Sequence, residues 1–157
     1  MPEPTDAPAA DALDRVRERA RTNLFWRHLG VQVDEAGAGW VRLRVPSRDE
    51  LKNAAGAPVH GGVYSALVDM AVGGALSTLH AAAEGGVGQT TLDLNVSFLA
   101  GASAGDILAE GRILKRGRTI AFGEARITDD KGQVLALGRA TYMIIAPRPD
   151  RHDAPPA

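Results

Sequence analysis

The chain has 157 residues and a formal net charge of −1, which suits one compact domain and gives no broad electrostatic attraction to nucleic acid or to an anionic membrane. It contains no cysteine, which excludes disulfides, thiolate chemistry and cysteine-ligated zinc. The first residues, "MPEPTDAPAADALDRVRERAR", mix acidic and basic side chains where a secretory signal needs a continuous apolar segment. We therefore predict a cytoplasmic protein.

Both ends of the chain are rich in proline, alanine and charged residues. Such a composition buries too little apolar surface to offset the entropy lost when the chain becomes ordered. We predict disordered tails at residues 1–10 and 147–157, with one domain over residues 11–146 between them.

The first predicted element is an amphipathic helix from about Asp11 to His28. Apolar residues recur there at helical spacing among many charges, and Gly30 supplies a helix stop. The apolar face of this helix carries Leu13, Val16, Ala20 and Leu24.

A strand and a long helix follow. The segment "WVRLRVP" alternates apolar residues with arginines, which predicts a half-buried strand that ends at Pro46. Residues 62–83 are small or apolar on all sides and predict a helix covered on most of its surface. Asp69 and His80 interrupt this run, which favours a buried helix over a transmembrane span of roughly 20 apolar residues.

Four strand-like segments complete the chain: "TLDLNVSF", "DILAEGRIL", "TIAFGEARIT" and "QVLALGRATYMII". The turn-forming stretches "KRGR" and "DDKG" separate the last three. Short connections predict an antiparallel meander. The order of the elements therefore predicts an α+β fold in which an antiparallel sheet curls around one long helix.

Asp69 is the unusual residue of the long helix. Its neighbours in sequence are apolar, and a buried carboxylate is costly unless it is paired or used in chemistry. One interpretation is a functional acid. The other is a salt bridge to one of the many arginines or a hydrogen bond to the backbone.

His60, Gly61 and Gly62 open the same helix. Two glycines let the chain approach a ligand closely, and the first amides of a helix lack internal partners and lie at the positive end of its dipole. This arrangement could hold a developing oxyanion. The alternative is a turn that needs glycine for steric reasons alone.

The stretch "HGGVYSALVDMA" with Asn53 and Gly56 upstream and "TTLDLNVSFL" and "GRTIAFGEARI" downstream resembles the PaaI-type branch of the hotdog-fold acyl-CoA thioesterases. The resemblance covers roughly Leu51 to Ile145. It implies a central helix wrapped by an antiparallel sheet, subunits that pair through their sheets, and dimers that pair again into homotetramers.

The resemblance also implies roles for site residues. The Gly61 amide would polarise the thioester carbonyl, His60 and the loop residue Asn53 would shape the site, and Asp69 would be the base or the nucleophile. Thr91 falls where similar proteins carry a hydroxyl that helps to place the attacking water. The sequence departs from that pattern in the spacing of Asn53, which lies seven residues before His60 instead of six.

The helix supports a geometric inference that does not depend on the family. At about 1.5 Å per residue, Asp69 lies roughly 10 Å along the axis from the helix start at Gly62. Reacting atoms must approach to about 3 to 3.5 Å. We therefore expect two antiparallel helices, related by a two-fold axis, to combine the loop of one subunit with Asp69 of the other.

Arg116 and Arg118 in "LKRGRT" could contact the phosphates of coenzyme A, although charged hairpin tips are usually just solvated. Taken together, the sequence predicts an enzyme that hydrolyses an acyl- or aryl-CoA thioester to the free acid and CoA, with no metal or redox cofactor. The alternatives are a non-catalytic acyl-CoA-binding module of the same fold, and a structural oligomer in which Asp69 is salt-bridged.

Overall fold

The computed structural model describes residues 9–80 and 87–147. Ten elements lie in these two ranges. They are helix α1 (Ala9–Thr22), helix α2 (Leu24–Leu29), strand β1 (Gln32–Gly37), strand β2 (Trp40–Pro46), a 3-10 turn (Asp49–Leu51), helix α3 (Gly61–Ser77), and strands β3 (Gly88–Phe98), β4 (Asp106–Arg116), β5 (Ile120–Asp129) and β6 (Val134–Ile145).

The described strands form one antiparallel sheet in the order β1-β2-β4-β5-β6-β3. The predicted antiparallel meander is confirmed for β4, β5 and β6, which pair in chain order. Strand β3 pairs with β6 and not with β4, its neighbour in the chain. The cause is the connection over residues 99–105, which is long enough to cross the roughly 14 Å of three strand spacings. It leaves room for β2 to pair with β4 on the other side.

The predicted single helix from about Asp11 to His28 is two helices. α1 ends at Thr22, and Asn23 then caps α2, since its Oδ1 accepts hydrogen bonds from the amides of Phe25 and Trp26 at 3.0 and 3.1 Å. Asparagine is a favoured N-cap because its side chain satisfies the free amides of the first turn. Leu24 is 76% exposed, so the prediction that it joins the apolar face is wrong. Gly30, at φ +75°, ends α2 as expected.

Helix α3 packs against the sheet and supplies much of the core. It begins one residue earlier than predicted, at Gly61, and ends at Ser77 instead of near residue 83. Three strand glycines let it lie close to the sheet. An added Cβ would lie 2.4 Å from the Ala71 carbonyl carbon at Gly111 and 2.5 Å from side chains of α3 at Gly123 and Gly138. The predicted helix covered on most sides is therefore confirmed, and the sheet wraps it closely.

The ends of the predicted domain lie near the limits of the described residues. α1 begins at Ala9, two residues before the predicted boundary at residue 11. The rest of the two predicted tails, apart from Pro147, lies outside the described ranges. None of the helices in residues 9–80 and 87–147 has the length and apolar content that a membrane span requires.

Candidate active site

The first turn of α3 is built around His60, which is its N-cap. The imidazole Nδ1 accepts a hydrogen bond of 2.8 Å from the Gly62 amide. A ring nitrogen that accepts carries no hydrogen, so the hydrogen of the neutral ring lies on Nε2. The ring folds so closely over Gly62 that an added Cβ would lie 2.8 Å from Nδ1. The steric explanation for glycine therefore applies at position 62, and the amide of Gly62 is already bonded.

Gly61 differs from Gly62 in its amide. No acceptor among the described residues receives a hydrogen bond from the Gly61 N–H. This amide lies at the N-terminus of a 17-residue helix, where the helix dipole favours negative charge. The ring of Phe98 lies beside it, with Cε1 3.2 Å from the position of an added Cβ on Gly61. The start of α3 thus offers one free donor next to an aromatic ring.

Asp69 lies two turns further along α3. It is half-buried in the single chain, which is less burial than its apolar neighbours in sequence predict. It contacts the edge strand β3 through Thr91. Its Oδ1 accepts hydrogen bonds from the Thr91 hydroxyl at 2.7 Å and the Tyr142 hydroxyl at 2.6 Å. Its Oδ2 has no partner in the described part of the chain.

The alternative of a salt bridge at Asp69 does not fit these contacts. Within residues 9–80 and 87–147, no arginine, lysine or histidine forms an ion pair with Asp69. Two neutral hydroxyl groups satisfy one oxygen of the carboxylate, while the other stays available to water or to a substrate. One oxygen of the carboxylate is therefore held in place, and the other has no partner among the described residues.

Tyr142 is the site residue that the sequence analysis missed. It pairs with Thr91 across β6 and β3, so both side chains face α3. Burial raises the pKa of Tyr142 well above its ordinary range, and the negative charge of Asp69 adds to this effect. The hydroxyl is therefore a donor at neutral pH. The alternation in "ATYMII" does predict that Tyr142 points inward, and a buried tyrosine hydroxyl usually needs a partner.

The remaining predicted residues lie on separate elements. Asn53 is exposed in the loop before α3, and its side-chain amide donates to the carbonyl of Pro58 at 3.2 Å, within its own loop. Arg116 ends β4 and Arg118 lies in the turn before β5, and both are exposed. The structure thus brings Thr91 to Asp69 and groups His60, Gly61 and Gly62. Asn53 and the two arginines stay apart from these contacts.

The acid and the free amide are separated within one chain. Asp69 lies eight positions after Gly61, which corresponds to about 12 Å along the axis of α3. No cluster of three His, Asp, Glu or Cys side chains in the described ranges could hold a metal ion. The polar groups that the described residues bring to the candidate site are the Asp69 carboxylate, its two hydroxyl donors and the Gly61 amide.

A six-stranded antiparallel sheet wrapped around one long helix, with an acid on that helix, defines the hotdog class of protein. The sequence model of the thioesterase superfamily matches residues 58–136. Human acyl-coenzyme A thioesterase 13 is 30% identical over an alignment of 129 residues, which covers 80% of this chain and 89% of that protein. The chain belongs to the thioesterase superfamily.

Solved structures agree with this assignment. The crystal structure of a protein from the thioesterase superfamily superimposes with a TM-score of 0.77 at 32% identity, covering 85% of this chain and 98% of that one. The PaaI protein from the phenylacetic acid degradation operon of E. coli has a TM-score of 0.77 at 17% identity and covers 87% and 95%, which shows the shared fold. The predicted hotdog fold, the family resemblance and a thioester hydrolase are confirmed.

Proposed function

We propose that the protein is an acyl-CoA thioesterase that hydrolyses an acyl- or aryl-CoA to the free acid and CoA. One observation carries the proposal: Asp69 has Oδ1 held by two hydroxyl donors and Oδ2 free. The name of the human relative, acyl-coenzyme A thioesterase 13, supports a CoA thioester as the substrate. The alternative, a module that binds acyl-CoA without hydrolysis, does not account for a positioned acid.

The chemistry follows from the two groups. The Gly61 amide donates a hydrogen bond to the thioester carbonyl oxygen and stabilises the negative charge that develops there. Asp69 Oδ2 takes a proton from a water whose oxygen attacks the carbonyl carbon. The tetrahedral intermediate then re-forms the carbonyl and expels CoA as a thiolate, which takes the proton held by Asp69, and the acid is released. Direct attack by Asp69 to form an anhydride, which water then opens, uses the same oxygen.

His60, Gly62 and Thr91 support this centre. His60 holds the first turn of α3 through its bond to the Gly62 amide and presents Nε2–H to the solvent side. Gly62 lets the ring fold there and leaves the backbone open to substrate. Thr91 commits its hydrogen to Asp69, so towards a water its hydroxyl oxygen can only accept a hydrogen bond. In this proposal Asn53 stays the loop residue that helps to shape the site, as the family resemblance implies.

The site is shared between two subunits that pair through β3. This strand is an edge of the sheet, and Leu92, Leu94 and Phe98 on it are 51%, 39% and 55% exposed. An exposed edge strand with large apolar side chains is a template for pairing with another chain. A second copy of this chain can pair its own β3 with the free edge of this strand and can cover the exposed apolar side chains. The homodimer is therefore part of the proposal.

The register of that pairing follows from two contacts on β3. Asp69 contacts Thr91 near one end of the strand, and Gly61 lies beside Phe98 at the other end. An antiparallel pair centred between Leu94 and Asn95 brings Thr91 of one subunit opposite Phe98 of the partner subunit. Each acid then faces the free amide of the other subunit, which closes the gap of about 12 Å within one chain. Pairing of dimers into a tetramer and a cytoplasmic location stay predictions.

Arg116 and Arg118 anchor the phosphates of CoA in this proposal. Arg116, Ala121, Tyr142 and Thr91 form one row of register partners across β4, β5, β6 and β3. Arg116 therefore lies about 14 Å from Thr91, on the face that carries the buried Ala121. The pantetheine arm of CoA separates the phosphates from the thioester by a distance comparable to that between Arg116 and Thr91. Arg118 extends the positive charge into the hairpin turn.

We expect the double variant Arg116→Glu with Arg118→Glu to raise KM for acyl-CoA about tenfold or more, because two phosphate contacts become repulsive. Hydrolysis of a short pantetheine thioester, which lacks the nucleotide, should change little. Arg17→Glu with Arg27→Glu makes the same charge change on the exposed surface of α1 and α2 and serves as the control. Equal effects on both substrates would contradict the anchoring role.

A panel of acyl-CoA and aryl-CoA substrates, assayed with a thiol reagent, tests the proposed function. We expect release of free CoA with at least one substrate at a rate far above the background, with no added metal. Binding of acyl-CoA by calorimetry without release of thiol would favour the non-catalytic module. Neither binding nor hydrolysis across short, long and aromatic acyl groups would reject the CoA thioester as the substrate.

A further inference from the structure

We propose that Tyr142 is a positioning residue that fixes the carboxylate of Asp69, so that Oδ2 points to the reacting thioester. The inference rests on the proposed function, because it concerns the same acid. Nothing in the predicted set of catalytic residues includes Tyr142, which lies on β6, 73 positions away from Asp69 in the chain.

The contacts of the hydroxyl carry the inference. Tyr142 OH lies 2.6 Å from Oδ1 of Asp69 and 2.8 Å from the main-chain carbonyl oxygen of the same residue. One hydroxyl therefore contacts both the side chain and the backbone of Asp69, which restrains the rotation of its carboxylate relative to α3. The Thr91 hydroxyl donates to the same Oδ1 at 2.7 Å. With Oδ1 held from two strands, Oδ2 is the oxygen left for chemistry.

Gly73 provides the space for this contact. It lies one turn after Asp69 on α3, and an added Cβ would come within 2.6 Å of the Tyr142 hydroxyl and 3.1 Å of Gln89 Nε2. The Gln89 amide in turn donates to the carbonyl oxygen of Gly73 at 2.8 Å. Any larger side chain at position 73 would push the tyrosine hydroxyl away from the carboxylate. The absence of a side chain at Gly73 thus leaves the space in which the Tyr142 hydroxyl contacts Asp69.

The test compares two tyrosines that each lose only a hydroxyl. Tyr142→Phe should lower kcat about tenfold and leave KM for acyl-CoA unchanged, since a charge-assisted hydrogen bond to the acid is lost while the ring volume remains. Tyr64→Phe is the matched control. Tyr64 is buried on α3, the helix that carries Asp69, and its hydroxyl accepts a hydrogen bond from the Ala102 amide at 3.1 Å. The Tyr64→Phe variant should have a lower melting temperature than the wild type, with kcat within about twofold of the wild-type value.

A double variant separates positioning from a general loss of stability. Because Tyr142 acts through Asp69, adding Tyr142→Phe to Asp69→Asn should cost no further activity, whereas independent effects would multiply. If the double variant loses activity by the product of the two single effects, or if Tyr142→Phe alone has an unchanged kcat, the inference is overturned. The proposed function is unaffected by either result as long as Asp69→Asn is impaired. Near-normal turnover of Asp69→Asn would instead reject both.

A second pair of variants tests the contact between Tyr142 and Asp69 by changing the helix instead of the tyrosine. Gly73→Ala should lower kcat about as much as Tyr142→Phe, because the new methyl group displaces the tyrosine hydroxyl. Gly74→Ala adds the same methyl group at the next position of α3, about 100° around the helix, where the nearest atom is Cη2 of Trp26 at 3.3 Å, and it should leave kcat close to that of the wild type. A normal kcat in folded Gly73→Ala would count against the inference.

Discussion

We expect Asp69→Asn to lower kcat by at least about a hundredfold, the scale of losing a general base, with KM for acyl-CoA nearly unchanged. The asparagine carbonyl can still accept the hydrogen bonds that Thr91 and Tyr142 donate to Oδ1, so the fold and the network survive. The amide nitrogen that replaces Oδ2 cannot take a proton from water. Steady-state assays with a thiol reagent measure the effect, and circular dichroism checks the fold.

Asp14→Asn provides the matched control for this variant. Asp14 is exposed on α1, far in the chain from the site, and the same chemical change there should leave kcat unaltered. A turnover near that of the wild type in Asp69→Asn would remove Asp69 from the mechanism. Single-turnover hydrolysis in labelled water then distinguishes the two routes of the wild type, because label enters the Asp69 carboxylate only through an anhydride.

The second large effect concerns mixed dimers of two inactive variants, Asp69→Asn and Gly61→Pro. Each variant alone lacks either the acid or the amide at every site. In a random mixture about half of the dimers are mixed, and each of these has one site with a normal acid and a normal amide, which gives about a quarter of wild-type activity. Sites built within one chain could not recover, since every chain still carries a defect. Unfolding, mixing in equal amounts, refolding and assaying tests this.

The local geometry makes Gly61→Pro a suitable variant. Gly61 is the first residue of α3, where proline is well tolerated, and His60 before it has ψ 135°, the extended conformation that precedes proline. Gly61→Ala is the control, because it adds the same first carbon beside Phe98 and keeps the amide hydrogen. Alanine should retain most activity where proline loses it.

The outcome depends on pairing, so light scattering must show that both refolded variants are dimeric. Exchange of subunits can be followed with a tag on one variant. Confirmed exchange with no return of activity would disprove the shared site. Activity at half of the wild-type level or more in either variant alone would instead show that its altered group is dispensable.

The fold class and the residues of the candidate site that lie on α3 could be predicted because their sequence patterns are local. The period-2 alternation in "WVRLRVP" and in the last four strand segments, and the apolar run of α3, are each written in consecutive residues. The same holds for the position of Gly30 after α2 and for the His-Gly-Gly stretch that opens α3. The sequence by itself therefore determined the long helix with its acid and five of the six described strands, but not strand β1 or the break between α1 and α2.

Only the tertiary structure decided which elements meet. β3 pairs with β6 because the connection after it spans three strand spacings, past β6 and β5, to reach β4, and no local pattern distinguishes that pairing from a meander. Tyr142 reaches Asp69 only because β6 lies beneath α3 and Gly73 leaves room. Asp69 is half-exposed because its face of the helix lies at the edge strand. Such contacts join residues far apart in the chain, and the packing of helix on sheet, rather than any local propensity, brings them together.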